Sequence, residues 1–563
     1  MSILKLKKAN CKNCYKCIRN CPVKSIEVKD HQAQILERDC ILCGNCILTC
    51  PQDAKEVRND LEIAKNLVRG DKDIIASVAP SFIANYDVST FEAFKDILKK
   101  LGFSDAYETA EGAFLVKSEY EQLIAKNTGK TIISSCCPTV VKLIQKHHPS
   151  CLENLAPVLS PMQAHGNLIK AKNPSAQVVF IGPCISKKDE IENYPGAVDM
   201  VLTFDELNQW LEDAQINITA MEDTRSLKYL SRLFPVAGGI IKTMNINTDY
   251  KYISVDGIDN CIDALIEVEE GNFENCFIEM SACNGSCVNG PARGKNKLKL
   301  INAQIKVEKL ALNKETLCDY DLNTDINLYK EIKSEEIVCF PPSKSDIAAI
   351  LKKMGRNNLS DELNCGTCGY NTCREKAIAV YFGKAEITMC LPYMRSKAES
   401  FSDKIISATP NAILAVDMDL RIQQINRAAC NIFGILKCED VIGVPVSRIM
   451  DEFDFVNVIS KEESRTHKKV YLAEYEKYIE ELLVYDKNSH VVICIMKDIT
   501  KEHLKREKLL ASRNNAKNIA DKILEKQMGI VHEIASLLGE TTAETQVALK
   551  ELENTMFEED EYQ

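Results

Sequence analysis

Gln177-Val178-Val179-Phe180-Ile181-Gly182-Pro183-Cys184-Ile185-Ser186-Lys187 points to the architecture of the central part of the chain. An apolar run closes on Gly-Pro, and a cysteine follows at once. A run without polar alternation reads as a parallel strand buried on both faces. A thiol just past its carboxyl end lies where open α/β sheets place their sites. Two further runs share the pattern, Ile74-Ile75-Ala76-Ser77-Val78-Ala79-Pro80 and Lys130-Thr131-Ile132-Ile133-Ser134, the second leading into Ser135-Cys136-Cys137-Pro138. Amphipathic helical stretches alternate with them, which predicts an α/β domain. A third cysteine segment, Glu279-Met280-Ser281-Ala282-Cys283-Asn284-Gly285-Ser286-Cys287, completes the set. Each segment puts thiols beside Gly, Pro or Ser, where backbone can approach an inorganic cluster closely.

The whole chain has 563 residues, 45% of them hydrophobic and 27% charged, enough for roughly four soluble domains. A net charge of −11 argues against nucleic acid as a partner, because phosphate binding needs a basic footprint. Met1-Ser2-Ile3-Leu4-Lys5-Leu6-Lys7-Lys8 lacks the apolar region of a signal peptide. No apolar run is long enough to span a membrane, so a cytoplasmic protein is expected. Twenty-five cysteines in a reducing compartment read as metal ligands wherever they cluster. The isolated ones, Cys151, Cys261, Cys276, Cys318, Cys339, Cys430, Cys438 and Cys494, read as buried structural thiols.

Cys11-x2-Cys14-x2-Cys17-x3-Cys21-Pro22 recurs as Cys40-x2-Cys43-x2-Cys46-x3-Cys50-Pro51. The repeat resembles the bacterial two-cluster ferredoxin run, in which the fourth cysteine of each run ligates the other cluster. That resemblance implies one [4Fe-4S] cluster on Cys11, Cys14, Cys17 and Cys50, and a second on Cys40, Cys43, Cys46 and Cys21. Zinc is the alternative occupant, but a duplicated eight-cysteine run with Cys-Pro endings argues against it.

Together the three later segments resemble the signatures that hold the H-cluster of [FeFe]-hydrogenases. The resemblance implies that Cys137, Cys184, Cys283 and Cys287 ligate a [4Fe-4S] half. Cys287 would bridge to a diiron half bearing CO, cyanide and a dithiolate. It further implies that Lys187 hydrogen-bonds one cyanide, that Pro80 and Ser81 lie near the other, and that Cys136 passes a proton to the bridging amine. Asp199-Met200-Val201-Leu202-Thr203 and Gly238-Gly239 resemble further landmarks of the family. Cluster-assembly relatives, with a [4Fe-4S] cluster and no diiron half, are the alternative.

The departures from the family pattern crowd around the diiron position. Gly182 and Ser281 stand where the family has Met, Met162 stands where it has Gln, and Asn289-Gly290-Pro291 replaces a glycine run. Losing methionines removes apolar packing and should retune the cluster. The relay serine beyond Cys136 aligns with Ala156, and the two outer glutamates fall near Tyr120 and Leu123, beside Glu119 and Glu121. Proton transfer needs donors and acceptors in contact, so fast turnover by the usual route is not expected.

Cys365-x2-Cys368-x4-Cys373 and Cys390 form another four-thiolate set. It resembles the small [4Fe-4S] domain of corrinoid iron–sulfur proteins, with zinc again the alternative. From Ser402 the cysteine clusters stop. Ile405 to Asp417, Ile425 to Ala429, Phe433-Gly434, Val441 to Gly443 and Val491 to Thr500 resemble a PAS domain. Residues 501–556 lack Pro and carry Ile519, Ile523, Ile530, Ile534, Leu537 and Leu538 at helical spacing, compatible with a dimeric coiled coil. Val531-His532-Glu533-Ile534 resembles a kinase phosphoacceptor box, but no ATP-binding domain follows, so His532 reads as a surface residue.

The expected architecture is multidomain α/β (α+β): a ferredoxin-like two-cluster domain over 1–58, an α/β H-cluster domain over 59–345, a small iron–sulfur domain over 346–396, a PAS domain over 397–500 and a helical output tail over 501–563. The expected cofactors are three [4Fe-4S] clusters and an H-cluster. The expected function is a sensory [FeFe]-hydrogenase of low turnover, acting on dihydrogen and protons. A ferredoxin-like electron partner, a kinase, phosphatase or regulator as output, and a homodimer complete the reading. A metabolic ferredoxin-linked hydrogenase and a non-enzymatic iron–sulfur scaffold are the alternatives.

Overall fold

The computed structural model describes residues 2–126, 129–218, 228–294, 298–312, 319–322, 324–461, 466–538 and 547–553. Cys318 and the last ten residues of the tail lie outside the described residues. The chain divides into two compact units, Met1–Met394 and Arg395–Gln563. Helix Leu391–Ala408 runs across the division. Among the described residues no helix is long and apolar enough to cross a membrane.

The first unit opens with a pseudo-repeat. Antiparallel pairs Leu4–Leu6 with Lys55–Val57 and Ile26–Lys29 with Gln32–Ile35 frame two four-residue helices, Lys16–Arg19 and Asn45–Leu48. Each helix starts one residue after a left-handed position, Tyr15 at φ 56° or Gly44 at φ 80°. Gly44 has a second reason to lack a side chain, because a Cβ there would lie 2.6 Å from Cβ of Pro291.

Behind this lies an α/β body with two parallel sheets. The larger orders its strands Asp105–Glu108, Ile74–Val78, Gln177–Gly182, Met200–Thr203. The smaller orders them Lys251–Asp256, Cys276–Ser281, Ile132–Ile133. Every residue of Ile74–Val78 and of Cys276–Ser281 is buried, which is why these strands carry no polar alternation. The run around Ile132 is thus parallel, yet it belongs to a different sheet from the runs at Ile74 and Gln177.

A buried charge cluster fastens the ferredoxin-like segment to this body. Lys188, with no exposed side-chain surface, donates to Asp60 and Glu206 at 2.7 Å each and to the Arg58 carbonyl at 2.9 Å. The small domain around helices Lys344–Lys353 and Cys373–Tyr381 docks on the ferredoxin-like segment as well. The Val28 amide donates to the Lys384 carbonyl at 3.0 Å, Arg19 to the Gly366 carbonyl at 3.0 Å, and Lys384 pairs with Asp39. Ile18, Cys21, Cys368, Tyr370 and Met389 share one apolar cluster.

The second unit is a five-stranded antiparallel sheet in the order Ile422–Ile425, Ala412–Val416, Val491–Asp498, Lys477–Asp486, Thr466–Leu472. Helices Arg427–Ile432 and Phe453–Lys461 cover its core. Helix Thr500–Leu538 leaves the last strand with Ile519, Ile523, Ile530 and Ile534 exposed. The side chains of Leu537 and Leu538 lie outside the described residues.

Three isolated cysteines depart from the buried-thiol expectation. Cys430 and Cys438 form a disulfide. The chain turns back after helix Arg427–Ile432, the Ile435 amide donating to the Cys430 carbonyl at 2.8 Å, and this brings the two Cα atoms to 6.0 Å. Cys339 is exposed, since its segment leads into Pro341-Pro342 and forms no strand or helix to bury it. Cys151, Cys261, Cys276 and Cys494 are buried free thiols.

Candidate active site

The three cysteine segments converge at the carboxyl ends of the parallel strands. Ile132–Ile133 leads to Cys137, the residue capping helix Pro138–His147. Gln177–Gly182 leads to Cys184, and Cys276–Ser281 leads to Cys283. Cys287 follows through a turn in which Ser286 takes φ 64°. All four thiols line one cavity of about 30 Å³, which Cys43 of the ferredoxin-like segment also reaches. The thiols line a wall rather than closing on a point: among the described residues, no three His, Cys, Asp or Glu side chains are placed to hold a single metal ion.

Burial pushes Cys184 up to about 11 and raises Cys283 and Cys287 as well. Thiolates in that setting need a strong local positive charge. Four thiols lining one cavity therefore fit an iron–sulfur cluster, with Lys187 beside it.

A second cavity, about 90 Å³, shares Cys136, Cys137, Cys184, Lys187, Ser281 and Cys287 with the first. Its remaining wall is mostly apolar and includes Pro80, Ser81, Met162 and Phe180. Ser81 is 1% exposed, and its hydroxyl has no hydrogen-bond partner among the described residues. An orphaned hydroxyl lining an apolar chamber fits a bound group that brings its own acceptors. These residues thus fit a diiron half next to Cys287, which borders both chambers. Gly182 is not an empty methionine site: a Cβ there would meet the Phe180 ring at 2.7 Å, and that ring fills the space. Ser281 is buried between the two chambers.

Lys187 is held by a buried network. Its Nζ lies 3.0 Å from Glu190 Oε2 and 3.3 Å from Ser160 Oγ. Glu190 also pairs with buried Lys330 at 3.2 Å. Burial works to lower the Lys187 pKa, but Glu190 and Cys184 outweigh it and the ammonium is favoured.

Cys136 lies 3.2 Å from the Tyr120 hydroxyl, which accepts from the Ser135 amide at 2.9 Å and lies 3.2 Å from Ser135 Oγ. Ser135 Oγ in turn donates to the Val158 carbonyl at 2.8 Å. The chain of hydroxyls ends on a carbonyl that cannot carry a proton onward. Tyr120 is fully buried, and Ala156 packs in the same apolar cluster. Burial drives Cys136 up to about 12, so its thiol stays protonated.

Two buried groups escaped the sequence reading. Thr109, on the wall of the larger chamber, pairs with Ser77 at 2.8 Å, and Ser77 pairs with His165 Nδ1 at 2.7 Å. Nothing in a lone Thr, Ser or His marks such a link. Glu279 lines the same chamber, and the Ile241 amide donates to it at 3.0 Å. Burial raises Glu279 to about 7. Its place in the third cysteine segment was the available signal.

Glu279 gives a pH prediction. Its folded-state pKa lies above the unfolded value, so the stability it confers is full below about 4.5 and is lost as pH rises toward 7. Relative to Glu279→Gln, cluster-free wild type should lose on the order of 3 kcal/mol across that window and nothing more above it. Urea midpoints of both proteins at several pH values provide the measurement, and a pH-independent difference contradicts the assignment.

Cys11, Cys14, Cys17 and Cys50 line a cavity of about 20 Å³. Cys21 sits with Cys40, Cys43 and Cys46, close enough to raise the last of these. In the small domain, buried Lys376 donates to the Glu386 carbonyl at 2.9 Å and lies close enough to feel Cys368, Cys373 and Cys390, while Cys365 is exposed.

Four stretches match known families. Residues 72–291 match "Iron only hydrogenase large subunit, C-terminal domain". The chain carries an iron-only hydrogenase domain. Residues 3–63 match a 4Fe-4S dicluster domain, 361–392 an iron–sulfur cluster family and 410–501 a PAS domain. Iron hydrogenase 1 of Clostridium pasteurianum is 24% identical over 299 residues, 41% of this chain and 52% of that protein. The match thus spans about half the length of that relative. The cytosolic Fe-S cluster assembly factor narfl of Danio rerio is 24% identical over 294 residues, 39% of this chain and 71% of that protein. Among solved structures, a variant of [FeFe]-hydrogenase HydA1 from Chlamydomonas reinhardtii gives a TM-score of 0.40 at 15% identity, covering 50% of this chain and 100% of that one. The iron-only hydrogenase domain is accompanied by iron–sulfur and PAS domains in one multidomain α/β chain.

Proposed function

We propose that this protein is a sensory [FeFe]-hydrogenase of low turnover, with three [4Fe-4S] clusters and an H-cluster. The observation that carries the reading is the pair of adjoining chambers bordered by Cys287. One is lined by the four candidate ligand thiols together with Cys43, the other is mostly apolar, and Cys136 and Lys187 border both. When bound, the H-cluster supplies reversible dihydrogen oxidation. Cys136 Sγ holds a proton at the chamber wall, Lys187 presents an ammonium, and Phe180 and Met162 exclude water. Cys43, on the wall of the thiol chamber, marks where electrons pass to the ferredoxin-like domain.

Slow turnover follows from the route beyond Cys136. Tyr120 and Ser135 tie its thiol into a chain that ends on the Val158 carbonyl. Ala156→Ser alone is therefore expected to leave turnover unchanged, because the new hydroxyl meets no continuing donor chain. Dye-linked dihydrogen oxidation checks this, and a marked gain would mean that an exit exists. The PAS domain and helix Thr500–Leu538 would pass the state of the site to a kinase, phosphatase or regulator, with the exposed isoleucine row pairing two copies.

A second reading has its own support, since the assembly factor from Danio rerio aligns with 39% of this chain. In that reading the chain is a scaffold with no diiron half. Infrared spectra after loading with a diiron precursor, with and without dihydrogen, separate the two. CO and cyanide bands that shift under dihydrogen support the hydrogenase. Their absence, with the [4Fe-4S] clusters intact, overturns it.

A further inference from the structure

The PAS core holds a feature that neither the domain's family nor the hydrogenase reading accounts for. Cys430 and Cys438 are joined, whereas the other described cysteines are free thiols. A disulfide is out of place in a chain built to carry oxidation-sensitive clusters, and in reducing compartments such bonds are commonly transient and redox-sensing. The two thiols differ in access. Cys430 is fully buried in the PAS core, while Cys438 is only partly buried at the edge of that cluster. This is the asymmetry of an entry thiol backed by a resolving thiol.

The bond also sits against a side chain that makes four hydrogen bonds, Asn426. The Cys430 amide donates to the Asn426 carbonyl at 3.0 Å, and Cys438 Sγ lies 3.8 Å from the same oxygen. Asn426 is 3% exposed and caps helix Arg427–Ile432. Its Nδ2 donates to the carbonyls of Ile406 at 3.0 Å and Asn411 at 2.9 Å. Its Oδ1 accepts from the amides of Ile413 and Ala429, both at 2.9 Å. Ile406 lies in the last turns of helix Leu391–Ala408, so one amide joins the disulfide loop, the first strand of the sheet and the end of that helix.

We propose that Cys430 and Cys438 are a reversible thiol–disulfide site that exchanges with a disulfide or dithiol substrate and passes its state through Asn426 to helix Leu391–Ala408. In the oxidising direction, Cys438 thiolate attacks one sulfur of the external disulfide and releases one external thiolate. Cys430 thiolate then attacks Cys438 Sγ, closes the internal bond and releases the second external thiolate. Two protein thiols lose two electrons, the external disulfide gains them, and the two protons end on the released thiols. Reduction by a dithiol runs the same steps backward. The loop of seven residues between the two cysteines is then freed, and the cap on Asn426 loses its covalent brace. This site does not depend on the hydrogenase reading, because the exchange needs no metal.

The test uses the full-length protein held anaerobically in mixtures of reduced and oxidised glutathione, then acid-quenched and alkylated in two isotopic steps. Cys430 and Cys438 should switch together as one two-electron couple, while buried Cys151, Cys261 and Cys494 stay reduced throughout. Cys430→Ser should leave Cys438 trapped as a glutathione mixed disulfide, and Cys438→Ser should trap little at Cys430. Both cysteines alkylated in every mixture would overturn the proposal, as would a bond that resists reduction in the folded protein. Amide hydrogen exchange reads the coupling: reduction should speed exchange at Ile413 and Ala429 severalfold. Identical protection in the two states would overturn transmission through Asn426.

Discussion

Cys287→Ala is expected to abolish the CO and cyanide infrared bands of protein loaded with a diiron precursor, while the ferredoxin-like domain keeps its iron. The argument is positional. Cys287 is one of six thiols on the smaller chamber, four of them the candidate ligands, and also lines the larger one. Replacing Cys137, Cys184, Cys283 or Cys287 removes a ligand to the cluster; Cys137 and Cys184 border both chambers as well, and Cys287 is singled out because the family resemblance makes it the thiol that bridges to the second group. Cys14→Ala, whose thiol lines a separate chamber with Cys11, Cys17 and Cys50, should leave those bands in place. Bands unchanged by Cys287→Ala would sink the assignment. Loss of all iron from both variants would point to misfolding, and circular dichroism of the cluster-free proteins excludes that before loading.

Much of this site was legible because it is written in short range. A cysteine two to four residues past an apolar run needs no tertiary information to be placed at a strand end, and Cys137, Cys184 and Cys283 are positioned by local chain alone. The paired cavities, in contrast, depend on which strands share a sheet. The Ile132 run joins Cys276–Ser281 and not Ile74–Val78, and composition cannot distinguish the two pairings.

The departures from the family pattern were visible, but their consequences were not. Gly182 reads from sequence as lost packing, yet the neighbouring Phe180 ring takes up that space. Pro291 likewise looks like a broken glycine run until Gly44 is found against it. Tyr120 shows the same limit. Sequence placed it near a missing carboxylate, and only the structure puts its hydroxyl against Cys136 with a carbonyl at the end of the chain. Cys430 and Cys438 were read as separate because eight residues of spacing say nothing about the turn that folds them together.

Glu190→Ala is expected to cost roughly 3–5 kcal/mol of stability, the range seen when one partner of a buried ion pair is removed. Glu190 is 2% exposed and stands between two cations, Lys187 at 3.0 Å and Lys330 at 3.2 Å, with Ser160 donating at 3.1 Å. Its loss leaves both ammonium groups without their shared carboxylate in a dry interior. Among the described residues Lys330 then keeps the Tyr194 ring, whose centroid lies 4.0 Å from its Nζ. In urea the midpoint should fall by roughly 1 M or more. Glu190→Gln, which keeps a polar side chain but not the charge, should cost less. Burial pushes Glu190 up, but Lys187 and Lys330 outweigh it and hold the carboxyl below its ordinary value. The stability it confers is therefore full above its unfolded pKa and lost as pH falls through the lower folded one. The gap between wild type and Glu190→Gln should consequently narrow on acidification, and a gap that widens toward low pH would contradict the network. Removing Glu190 also strips Lys187 of the charge that keeps it an ammonium, so cyanide band positions in loaded protein should move. A stable variant with unmoved bands would mean that Lys187 takes no part in holding the group in the larger chamber.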